Sequence, residues 1–294
     1  MNLVRTTKKL FLSVIILFSL VPLFAFDWPQ LLFESDNFFS FFGEPRGSTY
    51  TNSIQFRKQA AVTAADSGTV LISIRTDTAD MGWFPSTLGN AIILSHKNDM
   101  MTVYGNLEKI HIEDGTSDIT EGNIIGESGS SGWQNGFCSL EFQVIDSKLK
   151  TVINPLNLMP QVSQKKNVPV INDLKATSDS GTWSVSHQGT KLNAGIYTLY
   201  IAQQPEGMTF RTSVAVNGAE TETITYDILK QDNNRLCFTD KTGKRSYPYN
   251  QLFPDKERQF IAEVILSKGK NTISITVSDV FGNEKTATYT IEVI

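Results

Sequence analysis

Histidine is nearly absent from this chain of 294 residues: His96, His111 and His187 are all it has, each alone in its neighbourhood. Imidazole is the side chain that most often holds transition metals and moves protons near neutral pH. A metal centre or acid–base pair built from closely spaced histidines is therefore excluded. Cysteine is scarcer still, with Cys138 and Cys237 far apart in sequence. No CxxC pair exists to nucleate a zinc ribbon or a dithiol redox site. Both lie in strand-like runs, Phe137-Cys138-Ser139 and Leu236-Cys237-Phe238, where a thiol acts as a small apolar side chain. A disulfide between them is the other reading in an oxidising compartment.

Positive charge is also in deficit. The chain has 26 Lys and Arg against 30 Asp and Glu. Three of the basic residues, Arg5, Lys8 and Lys9, precede the apolar run of residues 10–26, and residues 1–26 contain no acid. That arrangement reads as a secretory signal, too early and too short to be a structural span, with cleavage after Ala25 or Phe26. No cysteine stands at the boundary to carry a lipid. Without the signal, 23 basic residues face 30 acidic ones. Such a balance argues against nucleic acid and against an anionic membrane surface as partners. After signal removal no integral membrane span is expected, and the site of action is exported: periplasm or cell envelope.

Several familiar catalytic devices are missing. Residues 126–136, GESGSSGWQNG, are rich in glycine but lack the lysine of a phosphate loop and the spacing of a dinucleotide fingerprint. No GxSxG elbow surrounds Ser139, so its place between Cys138 and Leu140 suits a side chain lining a groove rather than a nucleophile.

What the chain does have is β patterning. Short runs at residues 60–64, 69–74, 91–96, 101–104, 123–126 and 139–145 are separated by Gly, Asp and Asn turn signals. Ahead of them, residues 27–43 carry Trp28, Phe33, Phe38, Phe39, Phe41 and Phe42, an aromatic load that predicts a segment packed across the first domain. The polar stretch 161–167, QVSQKKN, ends near Pro169 and marks a domain joint. Beyond it, Ile273, Ile275 and Val277 alternate with Thr and Ser. After Val280-Phe281-Gly282-Asn283 a second alternation runs Ala287, Tyr289, Ile291, Val293. Period-two alternation on both sides of a Gly-Asn turn predicts a hairpin. Runs at 195–203, 209–216, 221–228, 236–239 and 260–266 add strands at the spacing of a β-sandwich.

Between Gly89 and Pro160 the chain reads GNAIILSH, VYGNL, EGNIIGESGSSG, CSLEFQV and NPLNLMP. With Phe41-Phe42-Gly43-Glu44-Pro45-Arg46, Ser53-Ile54-Gln55-Phe56 and Ser67-Gly68-Thr69-Val70 upstream, this stretch resembles the lysostaphin/LytM-type zinc metallopeptidases. Members of that family cut peptide cross-bridges of bacterial cell walls. The family holds its metal with a His and an Asp four residues apart and the second His of an HxH pair. A Tyr-x-His-Leu histidine and the first His of the pair handle water and oxyanion.

Aligned on these patterns, the metal positions fall on Thr51, Gln55 and Glu141, and the catalytic positions on Asn106 and Ser139. A catalytic zinc needs three ligands drawn from imidazole, thiolate and carboxylate, and only Glu141 is of that kind. Asn106 and Ser139 do not exchange protons near neutral pH as imidazole does. No metal, no cofactor and no catalytic residue is therefore expected. His96 reads as structural at a strand end, and His111, alternating with Ile110 and Ile112, as facing solvent.

The ending KGKNTISITVSDVFGNEKTATYTIEVI resembles the last hairpin of bacterial immunoglobulin-like modules. Together these readings predict an all-β chain: signal peptide 1–26, a degenerate LytM-like β-sheet domain with a groove at 27–160, a linker at 161–168 and an immunoglobulin-like β-sandwich at 169–294. Thr51, Gln55, Asn106, Ser139 and Glu141 are expected to form a polar groove floor, with Trp133 on the rim and residues 76–88 shaping the surface. The expected function is a pseudoenzyme that binds peptidoglycan peptide, or regulates or scaffolds a cell-wall hydrolase, with the second domain as spacer or docking surface. Two alternatives stay open: an active metalloendopeptidase with rewired ligands, and a purely structural envelope assembly protein.

Overall fold

The computed structural model describes residues 25–31, 37–75, 86–113, 115–132, 139–161, 168–204 and 209–294. Trp133, Cys138 and most of the 76–88 and 161–167 segments lie outside the described residues. The chain is nearly all β. In the amino-terminal half the strands are β1 (Phe38–Ser40), β2 (Pro45–Arg46), β3 (Thr49–Tyr50), β4 (Ile54–Phe56), β5 (Ala61–Thr63) and β6 (Gly68–Ile74). They continue with β7 (Asn90–Ser95), β8 (Met100–Ile110), β9 (Asp118–Ile119), β10 (Ile124–Ser128), β11 (Glu141–Asp146) and β12 (Thr151–Ile153).

The carboxy-terminal half begins with β13 (Lys175–Ser178), β14 (Gly181–Ser184), β15 (Thr190–Leu192), β16 (Gly195–Ala202) and β17 (Thr209–Val216). Then come β18 (Ala219–Asp232), β19 (Arg235–Asp240), β20 (Ser246–Pro248), β21 (Arg258–Leu266), β22 (Gly269–Asp279) and β23 (Glu284–Val293). One helical turn, α1 (Tyr249–Leu252), precedes β21. Among the described residues no helix is long and apolar enough to cross a membrane.

The first domain is built around β11, which pairs antiparallel with β8 on one side and β4 on the other. The core beneath them collects Ile54, Phe56, Leu94, Tyr104, Leu107, Leu140 and Phe142. The described part of the aromatic arm packs across it, whereas Phe33 lies outside the described residues. Phe26, Trp28, Phe38 and Phe41 enter this core, while Phe39 stays partly exposed. The Trp28 indole donates to the Pro160 carbonyl at 2.9 Å, fastening the arm to the end of the domain.

The predicted carboxy-terminal hairpin is present as β22 and β23, in register from Gly269↔Val293 to Ser278↔Glu284. Its period-two pattern sorts the side chains. Ile273, Ile275, Val277, Tyr289 and Ile291 face the core, while Thr276 and Thr286 bond hydroxyl to hydroxyl at 2.9 Å outside. Asp279 holds the turn by accepting from the Phe281 and Asn283 amides, both at 2.9 Å. A second layer of four strands, β14, β13, β16 and β21, covers the opposite side of that core.

The two halves are joined directly through strand pairing and apolar packing. The short strand β12 pairs with β18, Val152 against Leu229, so that one sheet runs through both domains. A third apolar cluster lies at the junction, where Phe42 and Tyr50 meet Tyr226, Phe238, Tyr247 and Phe260. Reciprocally, Phe281 from the tip of the last hairpin meets Phe41 at 6.5 Å between ring centres.

Candidate functional site

Alternation along the strands assembles the site. Glu141 opens β11 opposite Gln55 of β4 and Gly105 of β8. Residues two apart on a strand share a face, so Ser53 joins Gln55 and Gln143 joins Glu141. All four side chains converge. The Glu141 carboxylate accepts from Ser53 Oγ at 3.0 Å, from Gln55 Nε2 at 3.4 Å and from Gln143 Nε2 at 3.4 Å. A fourth donor comes from another element: Arg46 Nη1 lies 3.4 Å from Glu141 Oε1. The Glu141 side chain is 4% exposed, whereas that of Arg46 is 43% exposed. The carboxylate is thus enclosed and compensated, and the guanidinium is its link to solvent.

Asn106 and Ser139 form a separate knot. Asn106 stands at φ 62, a left-handed conformation that Asn tolerates better than most residues. From there its Nδ2 donates to the carbonyls of Gly129 at 2.6 Å and Ser139 at 2.7 Å, and its Oδ1 accepts from the Gly132 amide at 2.7 Å. The Asn106 backbone bonds Leu88 and Gly129, and the Ser139 amide returns to the Gly129 carbonyl. This side chain ties β8, the 129–132 loop and the approach to β11 together. The fit is close: a Cβ on Gly89 would stand 2.3 Å from the Gly132 nitrogen.

Thr51 is buried but is placed through its backbone, its amide donating to the Glu44 carbonyl and its carbonyl accepting from Gly43, each at 2.7 Å. It helps close the 44–51 hairpin that carries Arg46. Of the five positions singled out, Gln55 and Glu141 meet in one group and Asn106 and Ser139 in another. Sequence reasoning passed over Ser53, Gln143 and Arg46 as members of the floor. The first two were accessible from period-two spacing about Gln55 and Glu141.

The histidines stand apart from this floor. His96 is buried, with Nδ1 3.0 Å from the Ser67 carbonyl, Nε2 2.7 Å from Thr102 Oγ1 and its ring edge-on to Phe26. His111 is exposed beside Glu127 at 3.5 Å, just past the end of β8 rather than within a strand. His187 stacks on Tyr289. Cys237 is a buried free thiol whose pKa burial raises.

The donor set does not fit a divalent cation. Glu141 is the one anionic group among the matched positions, its oxygens face the donors of Ser53, Gln55, Gln143 and Arg46 among the described residues, and Arg46 is itself a cation. Among the described residues no three His, Cys, Asp or Glu side chains form a group suited to a metal.

The model of Peptidase family M23 matches residues 49–155. A second family model, which has no descriptive name, matches residues 168–294. No curated protein matches the chain. Among solved structures, the chain is similar to one from the SpoIIQ–SpoIIIAH pore forming complex, with 22% identity over 47% of this chain and 92% of that one, at a TM-score of 0.36. It is also similar to the catalytic domain of lysostaphin from Staphylococcus simulans, with 23% identity over 40% of this chain and 87% of that one, at a TM-score of 0.32. A zinc containing peptidase from Vibrio cholerae shares 19% identity over 43% of this chain and 37% of that one, at a TM-score of 0.33. Residues 49–155 of this chain thus match Peptidase family M23, and a second, carboxy-terminal domain follows.

Proposed function

We propose that this chain is a non-catalytic protein of the bacterial cell envelope, exported by an amino-terminal signal. Its LytM-like domain, residues 27–160, binds cell-wall peptide or regulates and scaffolds a peptidoglycan hydrolase. The carboxy-terminal domain, residues 169–294, is an immunoglobulin-like sandwich that follows a joint at 161–168. The observation that supports this reading is the state of Glu141. The one ligand-type side chain left at the family's metal positions is enclosed by Ser53, Gln55, Gln143 and Arg46. Asn106, at the position of a catalytic imidazole, has its amide committed to backbone carbonyls. A carboxamide does not exchange protons near neutral pH, and the donors of this one are engaged in holding the fold. A ligand reaches this floor at its exposed member, Arg46, and Trp133, outside the described residues, is the further residue assigned to binding.

Metal analysis of the purified protein, with an assay on cell-wall fragments, tests the proposal. The expected outcome is no stoichiometric zinc and no chelator-sensitive cleavage, together with wall or hydrolase binding that weakens in Arg46→Ala. Stoichiometric zinc with chelator-sensitive cleavage overturns it in favour of a rewired peptidase. Binding that survives every groove substitution leaves a purely structural role.

A further inference from the structure

The mismatch between the floor and a metal ion has a positive counterpart in the 44–51 hairpin. Its two short strands, β2 and β3, place Pro45 opposite Tyr50 and Arg46 opposite Thr49. Opposed residues share a face and successive residues alternate, so Tyr50 and Arg46 leave the hairpin on opposite sides. The Tyr50 side enters the carboxy-terminal domain. Its ring lies 4.6 Å from Phe238 and 5.4 Å from Tyr249, centre to centre, and Pro45 lines a cleft of about 300 Å³ with Phe253 and Tyr226. The Arg46 side delivers the guanidinium to Glu141. The turn at Gly47, φ 66, and the paired bonds between residues 43–44 and Thr51 keep the hairpin closed.

We infer that Arg46 is a tethered substitute for the cation at this site, held on Glu141 by a hairpin whose other face is gripped by the carboxy-terminal domain. A carboxylate 4% exposed needs a compensating positive charge. In this chain a side chain supplies it, and the second domain sets its position. The consequence rests on the non-catalytic reading above: whatever displaces the hairpin must bring its own cationic group to Glu141. The carboxy-terminal domain is then a working part of the site, beyond a spacer.

Chemical rescue of the full exported chain tests this. Arg46→Ala is expected to lower the melting midpoint by roughly 5 to 10 °C. Millimolar ethylguanidinium is expected to recover most of that shift, while leaving the wild type and the Arg46→Ala/Glu141→Gln double variant unmoved. Hydrogen exchange is expected to quicken at the Gly43 and Thr51 amides in Tyr50→Ala, and the Arg46→Ala substitution is then expected to cost less in that background. No recovery with ethylguanidinium, or equal recovery in the double variant, overturns the inference. Should Arg46→Ala fail to fold, soluble protein recovered by refolding with ethylguanidinium is the supporting result and its absence the overturning one. Stoichiometric zinc in the wild type would instead remove the non-catalytic reading, so the two failures are distinct.

Discussion

The Tyr50 hydroxyl donates to the Tyr247 carbonyl at 3.1 Å, joining residues 197 apart in sequence. Around that bond the ring of Tyr50 is packed among Phe238, Tyr249 and Phe253. Burial drives its phenol pKa far above the ordinary value, so the hydroxyl keeps its proton and remains a donor. The contact makes the two domains depend on each other. Tyr50→Phe is expected to lose about 0.5–1.5 kcal/mol, the net worth of one buried hydrogen bond. Tyr50→Ala is expected to lose about 3–5 kcal/mol through the cavity it leaves. Urea unfolding followed by tryptophan fluorescence and by circular dichroism checks both. The wild type is expected to show one transition by both probes, and Tyr50→Ala two.

Asn106 offers a cleaner separation of strain from bonding. Asn106→Ala removes the donor to Gly129 and Ser139 and leaves at φ 62 a residue that tolerates the left-handed conformation less well than Asn. The expected loss is about 3–5 kcal/mol, from buried carbonyls left unpaired and from left-handed backbone strain. Asn106→Gly loses the same bonds but relaxes the backbone, so it is expected to be more stable than Asn106→Ala by about 1 kcal/mol. Denaturant midpoints of the two variants side by side decide the point. Equal midpoints would mean that the left-handed backbone adds nothing.

Two glycines with nearly the same φ make a matching pair. Gly47, φ 66, has open space around an added Cβ, whereas at Gly89, φ 65, a Cβ would meet the Gly132 nitrogen at 2.3 Å. Gly47→Ala is expected to cost about 1 kcal/mol of backbone strain alone. Gly89→Ala adds a clash with backbone and is expected to cost clearly more, about 2–4 kcal/mol, by displacing the 129–132 loop from Asn106. Thermal melts of the two variants provide the comparison.

Much of this architecture was legible in the chain because strand alternation is a local signal. β17 was read at its observed bounds, and the β22–β23 hairpin from its Ile, Thr and Ser alternation about Gly282-Asn283. β2, β3 and β12 were not read. Two or three residues such as Pro45-Arg46 or Thr151-Val152-Ile153 carry no periodicity, and their pairing is fixed by partners distant in sequence. The same limit applies at the site. The family pattern located Gln55 and Glu141, but Arg46 reaches Glu141 from a hairpin whose position depends on Phe238 and Tyr247 in the other domain. A salt bridge assembled through a domain interface leaves no spacing in the sequence.

Alkaline pH is expected to unfold this protein through its tyrosines. Burial pushes the phenol of Tyr104 up to about 12, against bonds from Thr102 and Ala65 that pull it down, and burial likewise pushes Tyr226 up to about 12. In the unfolded chain both ionise near the ordinary value of 10. Below that value both states hold the proton and the stabilising contribution is complete. As pH climbs from about 10 to about 12 the unfolded state sheds protons that the folded state keeps, so unfolding is favoured by up to about 1.4 kcal/mol per pH unit for each tyrosine. Above the folded value the contribution is gone. Urea midpoints measured through this window, with tyrosinate absorbance recorded alongside, are expected to fall steeply in the wild type. Tyr226→Phe, which keeps the ring and removes the ionisable hydroxyl, is expected to start lower at neutral pH, having lost the bond from Gln259, and to fall less steeply. A slope unchanged by that substitution would place the alkaline sensitivity outside the buried junction.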